Sequence, residues 1–270
     1  MTGRDKDFTG SIPEIYDTFL VPLIFESYAE DLADRVSALQ PRFVLETAAG
    51  SGVVSRALAS TLSSETRYTV TDLNQPMLEH AASKQDADTR ITWQQADAMD
   101  LPFEDALFDA VVCQFGVMFY PDRISGYAEA YRVLKPGGSL IFNVWDRIET
   151  NEFADVVTAA AAEVFPDDSP RFLPRTPHGY YDEDLIREEL STAGFCDVSY
   201  ESLEAISSAP SPRHPAVAYC QGTPLRNEIE ERDAELLDQV TDRAADAIAE
   251  RFGSGRVAAR IRGHIITATR

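Results

Sequence analysis

The feature that most constrains the fold is a run at residues 44–52, with the sequence VLETAAGSG. An apolar segment ends in an acid, and a loop of small residues then leads into a new apolar pattern. This predicts a strand, a tight turn and the start of a helix. Gly50 and Gly52 lack a Cβ, so the backbone can turn sharply there and a ligand can lie against it. The start of the helix also offers free N–H groups and positive potential.

The charge of the chain limits its partners. The formal net charge is -21 at pH 7, which opposes binding to phosphate backbones or anionic membranes. No apolar run reaches the length of a membrane span, and the N-terminal residues lack a signal-peptide pattern. We therefore expect a cytoplasmic protein that acts on neither nucleic acid nor membranes. The few, scattered cysteines and histidines predict free thiols and no metal site, and the acidic, lysine-poor composition fits either a high-salt cytoplasm or a GC-rich genome.

Strand and helix patterns alternate between residues 43 and 145. The predicted strands are 43–47, 68–71, 91–95, 110–114 and 140–145, and the predicted helices are 53–62, 76–84 and 124–134. Lys-Pro-Gly-Gly at residues 135–138 predicts a strong break before the fifth strand. Such alternation indicates a parallel sheet with right-handed crossovers, whose ligands bind beyond the carboxyl ends of the strands.

The rest of the sequence is less regular. Before the first strand, apolar residues predict one or two amphipathic helices, interrupted near Pro22. The remaining predicted elements are helices at 153–165, 182–193 and 232–252 and strands at 198–203 and 261–269. About fifty residues separate the last two strands, so we expect an insertion there.

Acids follow the second and third predicted strands. Asp72 ends the second strand, and a carboxylate at that place can accept both hydroxyl groups of a ribose. The alternative is a carboxylate that only caps the turn. Asp97, within residues 95–99, follows the third strand in a run that resembles a known adenine-binding motif; the alternative is a plain loop acid and a core methionine.

The fourth strand leads into an aromatic segment at residues 113–120, CQFGVMFY. Together the four motifs resemble those of class I methyltransferases, which bind S-adenosylmethionine (SAM). The closest general likeness is to small-molecule methyltransferases of the type 11 or ubiquinone-biosynthesis kind, and it covers residues 43–145 well. It implies an α/β, Rossmann-like class I methyltransferase fold: a mostly parallel seven-stranded sheet with the last strand antiparallel, plus a helical cap.

The resemblance also implies which residues hold SAM. In that family the acid of the first motif lies near the methionine ammonium, and the fourth motif borders the transferred methyl group. Ala48 stands where the family has its first glycine, and alanine is small enough for a close approach. The candidate cofactor-binding residues are Glu46, Ala48, Gly50, Ser51, Gly52, Asp72, Leu73, Met77, Asp97, Ala98, Met99, Gln114 and Phe115.

The implied reaction is in-line transfer of the SAM methyl group to a small, apolar or aromatic-bearing acceptor. The aromatic residues expected to face the methyl group are Phe115, Phe119, Tyr120, Phe172, Tyr180 and Tyr181, with ordinary core packing as the alternative. A hydroxyl acceptor can require a base. The sequence does not identify the catalytic residue; the candidates are His178, Tyr120 and Tyr181.

Two other functions remain possible. An NAD-dependent oxidoreductase also places an acid such as Asp72 on a ribose, but Ser55 stands where the Gly-x-Gly-x-x-Gly pattern has its third glycine. Glu46, directly before the turn, instead suits a ligand with a cation nearby. A non-catalytic SAM-binding protein is the second alternative.

We interpret the whole chain as one methyltransferase domain, monomeric or homodimeric. An N-terminal helical cover takes residues 1–40 and the SAM-binding core takes 41–150. The remainder, 151–270, completes the sheet and carries cap insertions near 166–181 and 207–256, over the substrate side.

Overall fold

The computed structural model describes residues 12–270. Its strands are β1 (Phe43–Glu46), β2 (Arg67–Asp72), β3 (Ile91–Gln95), β4 (Phe108–Gln114), β5 (Leu134–Trp145), β6 (Asp197–Ala209) and β7 (Val257–Thr269). They form one seven-stranded sheet with the order β3-β2-β1-β4-β5-β7-β6. The pairs among β1 to β5 are all parallel.

The last strand runs in the opposite direction. The Gly137 N–H donates to the Arg270 carbonyl, whereas the Asp146 N–H donates to the Arg262 carbonyl. The residue numbers therefore rise along β5 as they fall along β7, which makes this pair antiparallel. The predicted fold, a mostly parallel sheet with an antiparallel last strand, is confirmed.

Helices flank the strands. They are α1 (Ile12–Ile15), a π-helical segment (Tyr16–Phe25), α2 (Glu26–Ala38), α3 (Val53–Thr61), α4 (Gln75–Lys84), α5 (Arg123–Val133), α6 (Glu152–Val164), α7 (Phe172–Arg175), α8 (Glu183–Thr192), α9 (Arg213–Gln221), α10 (Leu225–Asp233) and α11 (Leu237–Phe252). The insertion predicted before the last strand thus holds α9, α10 and α11. Among residues 12–270, no helix is long and apolar enough to cross a membrane.

The predicted interruption near Pro22 is present, because the π-helical segment that contains Pro22 separates α1 from α2. One local prediction is wrong. Residues 135–138 do not break the strand but form a bulge within β5. Leu134 pairs with Phe108 and Ser139 pairs with Ala110, so the extra residues loop out.

The chain divides into two compact units. The unit that we call the core unit comprises Glu26–Val144, Tyr181–Ser202 and His264–Arg270. The helical unit comprises the described residues up to Phe25, with Trp145–Tyr180 and Leu203–Gly263. The interpretation of the chain as a single domain stays a prediction.

Each unit has its own apolar interior. In the core unit, Val44 of β1 and Val112 of β4 are fully buried, as expected of central parallel strands covered on both faces. In the helical unit, α11 packs against α6 and α9. Val240, Ala244 and Ile248 of α11 are fully buried and share one helix face at intervals of four residues.

Candidate active site

The turn after β1 has the backbone geometry that its small residues predict. Ala48, Gly50 and Gly52 have φ angles of 53°, 57° and 79°. This left-handed conformation costs alanine about 1 kcal/mol, so Ala48 is strained. A Cβ on Gly50 would meet only Met77 Cε, at 4.0 Å, whereas a Cβ on Gly52 would lie 2.8 Å from Ala81 Cβ. Gly50 therefore leaves space for a ligand, and Gly52 lets α3 pack against α4.

Asp72 ties this turn to the loop after β2. Its Oδ2 accepts a hydrogen bond from the Gly50 N–H at 2.8 Å, and its Oδ1 accepts one from the Asn74 N–H at 2.7 Å. Burial raises the pKa of Asp72, and the two amide hydrogen bonds counteract that rise. A carboxylate has about four acceptor sites, so each oxygen can still accept from a ribose hydroxyl. The neighbouring Leu73 is exposed.

Glu46 lies buried before the turn. Its Oε2 accepts hydrogen bonds from Ser55 Oγ, at 2.6 Å, and from the Tyr68 hydroxyl. Burial raises the pKa of Glu46 to about 7, because the carboxylate loses its contact with water. In the sequence Ser55 marks only a missing glycine, whereas in the structure its hydroxyl anchors Glu46. This carboxyl group would ionise readily beside a cationic ligand.

Two more predicted residues have hydrogen-bonding capacity to spare. Ser51 Oγ is buried and has no partner among the described residues. Asp97 caps its own turn, because its Oδ1 accepts from the Met99 N–H at 2.9 Å. Its Oδ2 has no hydrogen-bond partner in the described part of the chain. Ala98, between Asp97 and Met99, is half-buried. A hydroxyl and a carboxylate oxygen of this kind can bind the polar groups of a nucleoside.

Phe115 follows β4 in a strained conformation, with a φ angle of 49°. Its N–H donates to both the carbonyl and the Oδ1 of Asn143, at 3.2 and 2.9 Å. The Tyr28 ring packs edge-on against it, with ring centroids 5.1 Å apart. Asn143 is paired with Gln114 in the sheet and is fully buried, and its Nδ2 has no partner among the described residues. Sequence reasoning missed Asn143 and Tyr28, since only the folded sheet brings them to Phe115.

Tyr120 is held by contacts within the core unit. Its hydroxyl lies 3.2 Å from Thr47 Oγ1 and 3.5 Å from Cys113 Sγ. A Cβ on Gly126 would lie 2.6 Å from Tyr120 Cδ2, so the glycine makes room for the ring on α5. Burial raises the pKa of Tyr120. The phenol therefore stays protonated at neutral pH and is a poor base.

His178, in the helical unit, has a defined tautomer. Its Nδ1 lies 2.9 Å from the Asp146 carbonyl, which can only accept, so Nδ1 carries the hydrogen. Nε2 then bears the lone pair and has no hydrogen-bond partner within residues 12–270. Burial lowers the pKa of His178 to about 4, and the imidazole is neutral at pH 7.

A series of rings leads to His178 within the same unit. Ring centroids are 5.3 Å apart for Tyr16 and Phe25, 5.9 Å for Phe25 and Trp145, and 6.1 Å for Trp145 and His178. Trp145 is the last residue of β5. The sequence analysis did not single out Tyr16, Phe25 or Trp145, because they are far apart along the chain.

The other predicted aromatic residues lie in varied surroundings. Phe172 and Tyr180, in the helical unit, are both buried. Phe119 and Tyr181, in the core unit, are half-buried. The Tyr181 carbonyl accepts a hydrogen bond from the Tyr200 hydroxyl at 2.8 Å. That these four predicted aromatic residues contact a methyl acceptor stays a prediction.

Comparison with known proteins adds independent findings. Residues 11–209 match the profile of the ubiE/COQ5 methyltransferase family. The demethylmenaquinone methyltransferase of Clavibacter sepedonicus is 29% identical over 177 residues, which are 60% of this chain and 69% of that protein. A ubiquinone/menaquinone biosynthesis C-methyltransferase, UbiE, of a Marinomonas species is 28% identical over 172 residues, 59% of this chain and 68% of that protein.

A solved structure supports the fold. The YcgJ protein of Bacillus subtilis superposes with a TM-score of 0.57 and 17% sequence identity, over 90% of this chain and 98% of that one. Methyltransferases of the matched family use SAM, and the open space at Gly50 with the free acceptor sites of Asp72 fits such a cofactor. NAD-dependent oxidation is therefore not the reaction. The family profile spans most of the chain, and the chain belongs to the ubiE/COQ5 methyltransferase family, the SAM-dependent methyltransferases of small molecules.

Proposed function

We propose that the protein transfers the methyl group of SAM to a ring carbon of a small, hydroxylated aromatic molecule. The observation that carries this proposal is the series of rings formed by Tyr16, Phe25 and Trp145, which ends at the neutral imidazole of His178. A flat apolar ring can stack on such side chains. The names of the two relatives, which refer to demethylmenaquinone and to ubiquinone/menaquinone C-methylation, support the same class of acceptor.

In this proposal the core unit holds SAM, which supplies a methyl group already activated on sulfur. Asp72 accepts from the ribose hydroxyls, Asp97 accepts from the adenine amine, and the space beside Gly50 admits the cofactor. Glu46 ionises against the methionine ammonium, and Phe115 borders the methyl group. These residues bind and align the reactants, and alignment is the main requirement of an in-line displacement.

The proposal also states what the protein does not methylate. The net charge of -21 repels phosphate polymers, so we expect neither DNA nor RNA to be an acceptor. A monomeric or homodimeric state and a cytoplasmic location stay predictions, which gel filtration and cell fractionation would check.

The direct test uses methyl-labelled SAM and an alkyl-substituted dihydroxynaphthalene. We expect the label on a ring carbon, located by NMR of the isolated product, and no incorporation into transfer RNA, duplex DNA or protein under the same conditions. The Asp72→Ala variant, which lacks the ribose acceptor, should lose much of this activity at subsaturating SAM. Label found only on an oxygen atom would overturn the proposed carbon acceptor, and label found only on a macromolecule would overturn the proposed acceptor class.

A further inference from the structure

His178 is anchored at one ring nitrogen and open at the other. Its N–H backbone group donates to the Leu173 carbonyl at 3.0 Å, and its Nδ1 is fixed at 2.9 Å from the Asp146 carbonyl. The residue is only 6% exposed, yet Nε2 has no hydrogen-bond partner among the described residues. Nε2 is not fully shielded from the exterior, so beside the Trp145 ring it can accept a hydrogen bond from a ligand.

The charged groups around His178 leave the imidazole neutral. The Asp146 carboxylate lies 3.3 Å from Arg262 Nε and accepts from the Arg147 N–H at 2.7 Å. The acids Asp146 and Glu149 favour protonation of the ring, but burial outweighs them and lowers the pKa of His178 to about 4. A neutral ring with Nδ1–H fixed offers one lone pair and no positive charge. It suits a hydroxyl donor rather than a carboxylate.

The place of His178 in the fold suits a ring-shaped ligand. Asp146, which anchors it, directly follows the last residue of β5, and the Trp145 ring lies beside the imidazole. In open α/β sheets, ligands bind beyond the carboxyl ends of the strands. An aromatic face and an open hydrogen-bond acceptor are therefore combined at a strand end where a ligand is expected.

We infer that His178 determines specificity for the acceptor: its Nε2 accepts a hydrogen bond from a hydroxyl group of the acceptor ring while Trp145 contacts the ring. This inference rests on the proposed function, because it takes the acceptor to be a hydroxylated ring. The hydrogen bond selects rings that carry a free hydroxyl over the corresponding methyl ethers. It also fixes the orientation in which the ring lies.

Two variants separate this role from simple packing. In His178→Asn the shorter amide can keep the hydrogen bond to the Asp146 carbonyl, but nothing replaces Nε2. His214→Asn is the matched control, since it shortens a histidine of the same unit whose Nε2 already lies 3.1 Å from the Phe19 carbonyl. A packing defect would weaken the binding of all ring ligands alike, whereas loss of the Nε2 acceptor removes only the preference for ligands that carry a hydroxyl group.

The experiment measures binding without SAM and without turnover. The chain has two tryptophans, so in a Trp93→Phe background the fluorescence of Trp145 reports ligand binding. We expect dihydroxynaphthalene to quench this signal at a concentration at least about tenfold lower than dimethoxynaphthalene, the effect of one hydrogen bond. His178→Asn should abolish the preference, and His214→Asn should keep it.

Three results would overturn the inference. Equal affinity for both compounds in the Trp93→Phe background refutes the role of His178 but leaves ring binding, and with it the proposed function, standing. An unchanged hydroxyl preference in His178→Asn also refutes that role alone. Binding of neither compound refutes both the inference and the proposed acceptor class.

Discussion

The two units hold their candidate binding groups in different ways. In the core unit the backbone sets them: residues after β1 adopt left-handed conformations, and Asp72 receives two main-chain N–H groups. In the helical unit side chains set them, because the rings of Phe25 and Trp145 and the imidazole of His178 come from separate segments. A site built by the backbone requires small residues at fixed spacings and can be recognised in a sequence. A site built from stacked side chains cannot, since no local pattern records it.

The two units also differ in how pH acts on them. The pKa of Glu46 is raised from 4.5 to about 7, so its contribution to stability is present below about pH 4.5 and is lost as pH rises through about 7. The pKa of His178 is lowered from 6.5 to about 4. Its contribution is present above about pH 6.5 and is lost as pH falls through about 4. Burial is the main cause of both pKa shifts. The shifts have opposite signs because the ionised forms of Glu46 and His178 carry opposite charges.

The largest expected effect comes from Gly50→Val. The side chain strains a backbone with a φ angle of 57° and fills the open space beside the turn. We expect SAM affinity, measured by calorimetry, to fall by more than about a hundredfold, or about 2.7 kcal/mol. Quenching of Trp145 by dihydroxynaphthalene should be unchanged.

Gly137→Val is the matched control for that variant. Gly137 has a φ angle of 81° and open space around its Cβ position, but it lies in the β5 bulge. The Gly137→Val protein should lose stability through the same backbone strain and keep its SAM affinity. Loss of ring binding in Gly50→Val would show that the two units do not act separately.

Asp72→Ala should have the next largest effect. The substitution leaves the Gly50 and Asn74 N–H groups without their acceptor and removes the proposed ribose contact. We expect a loss of about 1–3 kcal/mol in SAM binding. Asp88→Ala is the control, because the Asp88 Oδ1 accepts from the Arg90 N–H, two residues on, at 2.9 Å, in the same way that Asp72 accepts from Asn74. Equal effects of the two substitutions on SAM affinity would contradict the proposed contact between Asp72 and the ribose.

A moderate effect is expected from pH. If Glu46 faces the cationic cofactor, binding expels its proton, so SAM affinity rises with pH and levels off above about 7. SAM affinity changes by at most about tenfold per pH unit, because binding releases one proton. In Glu46→Gln the slope from this group should vanish. Affinity that falls with rising pH, or the same slope in both proteins, would refute the role of Glu46.

Ala48→Gly should give the smallest effect. Glycine removes the left-handed strain at a φ angle of 53°, but it is more flexible in the unfolded chain and loses the contact of the Ala48 Cβ with the Gly116 region. We expect a gain in unfolding free energy of no more than about 1 kcal/mol by urea titration, with unchanged SAM affinity. Ala106→Gly, at a φ angle of 54°, should give a similar gain; a large loss at Ala48 would show that its methyl group, not the backbone, maintains the turn.

The sequence predicts the first half of the sheet closely and the rest less well. The third strand has the predicted bounds, 91–95, because it starts with a run of β-branched and aromatic residues, Ile91, Thr92 and Trp93. The sixth strand is predicted at 198–203 but extends over Asp197–Ala209. Its second part contains Ser and Glu and is exposed on alternate residues, as at the edge of a sheet, so it resembles a loop in sequence.

Within the candidate site, the glycine turn and Asp72 are recognisable from their spacing. Ser55 is not, because its hydroxyl acquires a role only when Glu46 is buried beside it. Asn143 is likewise hidden, since its contact with Phe115 joins residues that are 28 positions apart. Sequence patterns record local geometry, whereas these partners are defined by the packing of neighbouring strands.

The strand order has a consequence for synthesis on the ribosome. β7 lies between β5 and β6 in the sheet although it follows both along the chain. About fifty residues separate β6 from β7, which at about 5–20 residues per second corresponds to several seconds of translation. During that interval β5 and β6 each present an unpaired edge to other nascent chains. The period between the synthesis of β6 and of β7 is therefore when this protein most needs a chaperone, and when slower translation would most increase its aggregation.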